Sequence, residues 1–284
     1  MSAQILSGKE VASSVLATLK PKVKKLNPRL VVVQVGDDPG STSYIKQKIK
    51  SSEEVGIRSE CRHLPEQISE KELLEVVHAL NHDQDVTGFI VQLPLPAHLK
   101  NSVSKVIRAI DPAKDVDGFH PVNLGKTFVG PEFEDLPPAT PAGIILMLEY
   151  YNIPVEGKHV VVVGHSNIVG KPLALMFLNR NATVTVCHKY TKDLASFTRQ
   201  ADILCTAVGK AGLITKEMVK PGAVVIDIGT SRTENGLKGD VDFASVKEIA
   251  SAITPVPGGV GPMTVASLIR NCVRASEMQN QTPR

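Results

Sequence analysis

Tryptophan is absent from this sequence, and phenylalanine and tyrosine supply its whole 4% aromatic share. Any flat ligand must therefore be met by one of very few rings. Cysteine is sparse too. Cys61, Cys187, Cys205 and Cys272 lie far apart and form no C-x-x-C pair. That argues against a zinc site or a disulfide framework and for buried free thiols in a reducing compartment. No apolar run approaches the length of a membrane span. A formal charge of +3 is too small for a nucleic-acid footprint, although it leaves room for a local basic site for an anionic small molecule. No His, Cys, Asp or Glu cluster has metal-ligand spacing, and there is no G-x-S-x-G elbow. The early lysines 20, 22, 24 and 25 with Arg29 resemble a transit peptide in charge. However, Lys9-Glu10 followed by Val11, Val15, Leu16 and Leu19 reads as an amphipathic helix feeding a strand at Leu30. A cytoplasmic protein with no membrane or nucleic-acid partner is expected.

What is present is a hydrophobic share of 42% over 284 residues, enough for a large core in one or two domains. Apolar strand candidates are Leu30–Val35, Gly88–Leu93, His159–Val163, Thr183–Cys187, Ile203–Val208 and Ala223–Ile228. Helical patterns lie between them, so the expected class is α/β, with parallel strands buried on both faces. Leu136-Pro137-Pro138-Ala139-Thr140-Pro141 reads as a stiff connector, followed by a helix at Ile144–Tyr151. A second Gly/Pro cluster, residues 254–264, precedes a last helix from about Val265. The reading is of two lobes with a cleft between them, residues 1–140 joined by the C-terminal helix 265–284, and residues 141–264.

The stretch GHSNIVGKP, Gly164 to Pro172, follows the run Val160–Val163 and precedes a helical pattern. This is the place of a dinucleotide-binding glycine loop, yet the G-x-G-x-x-G fingerprint fails, with Ser166 and Val169 at its second and third glycine positions. Gly164 suits a tight turn and Gly170 a close approach. Ser166 offers a hydroxyl to a phosphate at a helix N-terminus. The alternative is a plain strand-to-helix turn. About twenty residues on, where an NAD site places a carboxylate, the chain reads Cys187-His188-Lys189-Tyr190. With no acid there, Lys189, helped by His165 and His188, favours a 2′-phosphate and hence NADP over NAD. Otherwise Lys189 is an ordinary solvated charge.

In the first lobe, Gly36–Ser41 is a turn after a strand, with Ser41 a candidate N-cap. Tyr44 and Lys48 follow at helical spacing on one face, a ring to stack a flat substrate beside a proton-transfer group. Lys48 acts as a base near neutral pH only if burial or a nearby cation lowers its pKa. Gln92 is polar inside an apolar strand, and Asp115-Val116-Asp117-Gly118 puts two acids at a turn. Each also reads as an ordinary structural residue when taken alone.

Taken together, Tyr44-x-x-x-Lys48, VQLPLP at 91–96, KDVDG at 114–118, PATPAG at 138–143, GHSNIVGKP at 164–172 and PVPGGVGPMT at 255–264 occur in the order of one family. The sequence resembles the bifunctional methylenetetrahydrofolate dehydrogenase/methenyltetrahydrofolate cyclohydrolase family, the FolD type, over nearly its whole length. The resemblance implies a folate-binding catalytic first lobe and a Rossmann-type NAD(P)-binding second lobe. It implies NADP-dependent oxidation of 5,10-methylenetetrahydrofolate and hydrolysis of the product to 10-formyltetrahydrofolate, in one-carbon metabolism. It assigns Lys48 as the central amine, Gln92 as its orienting partner, Tyr44 as a stacking ring and Asp117 as a partner of the pterin edge. Leu93, Pro257, Gly258 and Gly259 join the substrate contacts. Gly164, His165, Ser166, Ile168, Val169, His188, Lys189 and Thr230 form the cofactor set, while Thr140 is structural. A homodimer is implied, with no metal and no room in this sequence for the ligase domain fused to some members. The family commonly has Arg at position 165 and His-Ser at 188–189, so Lys189 here stands for a charge lost at His165. NADP is the expected cofactor, with NAD as the alternative. A monofunctional dehydrogenase and a non-catalytic nucleotide-binding protein are the other readings, and intact Tyr44, Lys48, Gln92 and Asp117 argue against them.

Overall fold

A computed structural model of the chain describes residues 2–234 and 236–281. In chain order the first half contains β1 (Gln4–Ile5), α1 (Gly8–Leu26), β2 (Arg29–Val35), α2 (Pro39–Val55), β3 (Arg58–Leu64), α3 (Glu70–His82), β4 (Gly88–Val91), α4 (Val103–Ala109) and α5 (Pro121–Val129). The second half contains α6 (Ala139–Tyr150), β5 (His159–Val163), α7 (Gly170–Leu178), β6 (Thr183–Cys187), α8 (Leu194–Thr198), β7 (Ile203–Thr206), β8 (Val224–Asp227), β9 (Ser231–Thr233), β10 (Gly236–Lys238), α9 (Phe243–Val246), β11 (Ala252–Ile253) and α10 (Val260–Gln281). The expected α/β class with parallel sheets is what the chain adopts.

The chain divides into two compact units, one made of residues 1–13, 127–133 and 140–264, the other of 14–126, 134–139 and 265–284. The sequence reading places residues 1–13, 127–133 and Thr140 in the first lobe. The first segment falls with 140–264 because β1 pairs in parallel with β11, joining Gln4 to Ala252 and Ile5 to Ile253. The second does so where Asn179 Nδ2 donates to the Thr127 carbonyl at 2.7 Å.

The 14–126 unit holds a parallel sheet of order β3-β2-β4. Its central strand buries both faces, as a covered parallel strand must. Leu30 and Val32 pack with Ile45, Val55, Leu268 and Ile269 on one side. Val31, Val33 and Val35 pack with Leu73, Val77 and Phe89 on the other. The 140–264 unit holds a six-stranded parallel sheet of order β1-β11-β8-β7-β5-β6. There Val161, Val163, Leu204, Val225 and Ile253 share a buried layer.

Four local expectations change. The cap of α2 is Asp38, whose carboxylate accepts from Ser41 N at 2.7 Å, while Ser41 itself is buried inside the first turn. Pro39 at the helix start moves the cap back, since a first-turn proline loses no helical hydrogen bond. For the same reason α6 starts at Ala139 with Pro141 in its first turn, not at Ile144, and α10 starts at Val260 with Pro262 in its first turn, not at Val265. Three strands stop short of the expected ends: β4 at Val91, β7 at Thr206 and β8 at Asp227. Finally, Cys61 is exposed, because it lies on the edge strand β3, whereas the other three cysteines are buried. Burial pushes the Cys272 thiol up to about 12 and raises that of Cys205 as well.

Candidate functional site

In the 14–126 unit, four of the nominated residues converge. The buried stripe of α2 is Ser41, Ile45, Lys48, Ser52 and Val55, so Lys48 occupies a place that an amphipathic helix normally gives to an aliphatic residue. Its side chain is 3% exposed. Nζ donates to Gln92 Oε1 at 3.1 Å and lies 4.9 Å from the centre of the Tyr44 ring. Gln92 is held in turn, since its Nε2 donates to the Leu93 carbonyl at 2.7 Å and its backbone N to Val33 O at 2.8 Å. The backbone bond extends the β2–β4 pairing by one rung, and the Leu93–Pro94 peptide that follows is cis. Burial lowers the Lys48 pKa, and the negative charge of Asp117 works against that shift. Burial raises the Asp117 pKa, with Lys48 as the opposing influence. Both groups are thus moved toward their neutral forms, as desolvation requires. Lys46 and Lys50 are exposed, as their places on the helix predict.

Asp117 sits on a turn braced by Asp115, the other acid of that turn, and by Asn123 and Asn271, which the sequence pattern did not single out. Asp115 is 2% exposed and accepts from Gly118 N, His120 N and Asn123 Nδ2, at 3.1, 2.7 and 2.9 Å. The buried Asn271 on α10 donates to the carbonyls of Val116 and Pro137 at 3.0 and 2.8 Å. Gly118 has φ +75°, and a Cβ there would lie 2.4 Å from the Pro137 carbonyl carbon. The available signal was an asparagine inside the apolar stripe of the last helix, which reads equally well as a solvated position.

In the 140–264 unit, the turn after β5 is built by close approach. Gly164 has φ +126°, and its absent Cβ would sit 2.4 Å from Ala207 O. A Cβ on Gly170 would sit 2.1 Å from Gly164 O, so α7 presses directly on the turn. Ser166 Oγ accepts from Val169 N and Gly170 N at 3.2 and 3.3 Å, and Lys171 N donates to Ser166 O at 3.0 Å. Pro172 has no N–H to give. Ser166 therefore caps α7 with its oxygen lone pairs and keeps only its hydroxyl proton to donate outward. Ile168 and Val169 are half-buried beside it.

The end of β6 supplies the positive side. The His165 and His188 rings are 4.9 Å apart, His188 lies 6.0 Å from Tyr190, and Lys189 Nζ is 4.8 Å from the Tyr190 ring centre. Thr191 Oγ1 accepts from His188 N at 2.9 Å and fixes this turn. Thr230, exposed, follows β8. The glycine cradle and the cationic end of β6, which carries no carboxylate, fit a dinucleotide with a phosphate on its ribose.

The Pro257-Gly258-Gly259 turn belongs to the same unit, with a cis Val256–Pro257 peptide and Gly258 at φ +108°. Lys9 N donates to Gly258 O at 3.3 Å, and a Cβ on Gly8 would lie 1.7 Å from Gly259 O. Thr140 and Thr264 join hydroxyls at 2.9 Å. Among the described residues there is no group of three metal-ligating side chains, and no helix is long and apolar enough to cross a membrane.

Comparison with known proteins agrees with these features. Residues 6–117 match the tetrahydrofolate dehydrogenase/cyclohydrolase catalytic domain, and residues 138–280 match the NAD(P)-binding domain of the same family. The bifunctional protein FolD of an Exiguobacterium species is 54% identical over 279 residues, covering 96% of this chain and 99% of its own length. The crystal structure of the bifunctional FolD enzyme of Campylobacter jejuni is 45% identical and superposes with a TM-score of 0.93, covering 98% of this chain and all of that one. The Trypanosoma brucei dehydrogenase-cyclohydrolase, solved with NADP and an inhibitor, is 33% identical with a TM-score of 0.94, covering 99% of this chain and all of that one. With both domain models matched in order and relatives aligned over almost the whole length, the chain belongs to the tetrahydrofolate dehydrogenase/cyclohydrolase family.

Proposed function

We propose that the protein is a bifunctional enzyme that oxidises 5,10-methylenetetrahydrofolate with NADP and hydrolyses the resulting 5,10-methenyl cation to 10-formyltetrahydrofolate. One observation carries the chemistry: a lysine amine on the buried stripe of α2, held by Gln92 beside Tyr44. An amine whose pKa burial lowers is available as a base nearer neutral pH than a solvated one.

In this reading Tyr44 stacks on the flat folate ring system and the Asp117 carboxylate accepts paired N–H bonds from the pterin edge. Leu93 adds an apolar contact. Pro257, Gly258 and Gly259 are further substrate-contacting residues, their small size leaving backbone within reach. Gly164, His165, Ser166, Ile168, Val169, His188, Lys189 and Thr230 hold the cofactor, with His165, His188 and Lys189 on the ribose phosphate. NADP, when bound, supplies the hydride acceptor. The protein's contribution to that step is positioning. In the hydrolysis, Lys48 Nζ takes a proton from the water that adds to the methenyl carbon. The bond from that carbon to N5 then breaks, N5 takes up a proton, the formyl group stays on N10, and one proton is released overall. Gln92 keeps the amine aimed. The same reading places the enzyme in the cytoplasm as a homodimer.

The test is initial rates with 5,10-methylenetetrahydrofolate and either NADP or NAD, following reduced nicotinamide and the methenyl product together. Faster turnover with NADP and a transient methenyl signal are expected. Preference for NAD would remove the roles given to His165 and Lys189, and no turnover with either would overturn the dehydrogenase activity and leave a cyclohydrolase alone or a non-catalytic nucleotide-binding protein.

A further inference from the structure

We infer that the buried carboxylates of Asp227 and Asp240 are positioning residues for the NADP site, a conclusion that rests on the NADP-dependent reading above. Asp227 is 3% exposed and Asp240 fully buried. Hiding a carboxylate is costly unless donors replace its water. Among the described residues no lysine or arginine pairs with either one, and the compensation comes almost entirely from main-chain N–H groups. Asp240 Oδ2 accepts from Val208 N and Gly209 N at 2.7 and 3.2 Å, and its Oδ1 from Lys210 N at 2.7 Å. Asp227 Oδ1 accepts from Gly229 N, Asp240 N and Thr206 Oγ1 at 3.1, 3.0 and 3.3 Å, and its Oδ2 from Val241 N at 2.9 Å. The two carboxylates are thus linked through the Asp240 amide. The backbone is shaped to admit them. A Cβ on Gly229 would fall 2.0 Å from Asp240 Cγ, and one on Gly239 would fall 1.9 Å from Asp227 Oδ2.

Residues 208–210 are exposed, so water could satisfy their amides without any buried charge. What the carboxylate adds is direction. With three successive N–H groups turned inward, the loop after β7 is fixed, and the residue before it, Ala207, presents its carbonyl against Gly164. On the neighbouring strand β8, Asp227 binds the amide of Gly229, the residue before Thr230. The loop after β7 therefore borders the glycine turn, and the loop after β8 lies one strand further along, both at the carboxyl ends of parallel strands, where open α/β sheets bind ligands. The arrangement also divides the labour. Amides consumed by a carboxylate offer nothing to an anion, so the loop after β7 serves the uncharged ribose and nicotinamide parts, and the pyrophosphate is left to residues 164–169.

The experiment uses Asp240→Asn in the full-length enzyme. The amide places an N–H₂ where the backbone already donates, so the loop must move. The expected result is a KM for NADP raised roughly ten-fold or more. Hydrolysis of methenyltetrahydrofolate, assayed with no nicotinamide present, should stay within about two-fold of the wild type. A damaged fold would lower both activities in parallel, and that outcome, or an unchanged KM for NADP, overturns the inference. If Asp240→Asn does not fold, amide hydrogen exchange on the wild-type enzyme decides. Slow exchange at Val208, Gly209 and Lys210 despite their exposure supports the clamp, and exchange at free-peptide rates refutes it. A wild-type enzyme lacking both activities would instead refute the functional reading on which the inference rests.

Discussion

Lys48 and Gln92 meet at the carboxyl end of a parallel strand, with the lysine Nζ 3.1 Å from the glutamine Oε1. The glutamine side chain is neutral, so it aims the amine without stabilising its charged form as a carboxylate would. That choice has a consequence for pH. Replacing Gln92 with Glu puts a negative charge at hydrogen-bond distance from the ammonium, which raises the Lys48 pKa, typically by about 1–3 units. Hydrolysis requires the neutral amine, so its pH profile should move upward and its rate near pH 7 should fall. A profile that does not move would separate Lys48 from the rate-limiting proton transfer.

Replacing Lys48 with Met keeps the length and fills the buried stripe of α2, but removes the amine. Loss of a general base costs about 10²–10⁴-fold. Methenyl hydrolysis should fall by that factor, while NADP affinity, measured by calorimetry, should stay near the wild-type value. Unchanged hydrolysis would take Lys48 out of the mechanism.

The glycine turn gives a purely steric prediction. Gly170 needs no left-handed backbone, yet a Cβ there would lie 2.1 Å from Gly164 O. Gly170→Ala must therefore push α7 away from the turn, an overpacking worth about 1–3 kcal/mol. A higher KM for NADP with unaltered methenyl hydrolysis is expected. An equal loss of both would mean that the damage spreads beyond the turn.

Asp227 gives a stability signature. Burial raises its pKa to about 6, from an ordinary value of 3.8. Between about pH 4 and pH 6 the folded chain therefore holds a proton that the unfolded chain has lost, and stability from this group falls as pH rises through that window. The difference is on the order of 3 kcal/mol, levelling off above about pH 6. Urea unfolding of the wild type and of Asp227→Asn should show it: relative to the variant, the wild type loses stability from about pH 4 to 6 and no further. Parallel curves would mean that Asp227 is already ionised at pH 4.

The elements that a sequence reader finds are those whose burial is written in their own residues. Val160–Val163 and Leu30–Val35 have both faces covered, so nearly every residue is apolar. The edge strand β3, RSECRHL, is missed because it is paired on one side only and none of its residues is buried. β1 and β11, two residues each, and the exposed β9–β10 pair are too short or too polar to show a period. The site divides in the same way. Tyr44, Lys48, Gln92 and Asp117 were legible through the order of motifs. Asp115 was visible as an acid at the turn, but not as its brace, and Asn123 and Asn271 were not visible at all, since a buried polar side chain satisfied by backbone looks, in sequence, like a surface one. Ser166 shows a second use that its sequence does not reveal: its oxygen accepts from the amides at the start of α7, while its hydroxyl proton stays free to donate.

Cofactor choice tests the positive end of β6. The tilted rings of His165 and His188 lie 4.9 Å apart, with Lys189 next to His188 in the chain, and no carboxylate closes that end of the strand. A lysine is a point charge, able to attract a phosphate but lacking the two-pronged geometry of arginine. Lys189→Glu reverses the local charge and supplies an acceptor for a ribose hydroxyl. Its effect on NADP should be large, because attraction becomes repulsion at close range, and roughly 100-fold in kcat/KM is expected from an electrostatic change of about 2–3 kcal/mol. NAD carries no 2′-phosphate to repel, so its kcat/KM should hold or rise, and the ratio of the two should invert. Methenyl hydrolysis without nicotinamide serves as the internal control and should not change. If both cofactors weaken together, Lys189 supports the turn after β6 and not the phosphate. If neither changes, the 2′-phosphate is recognised elsewhere, and His165 becomes the residue to vary next.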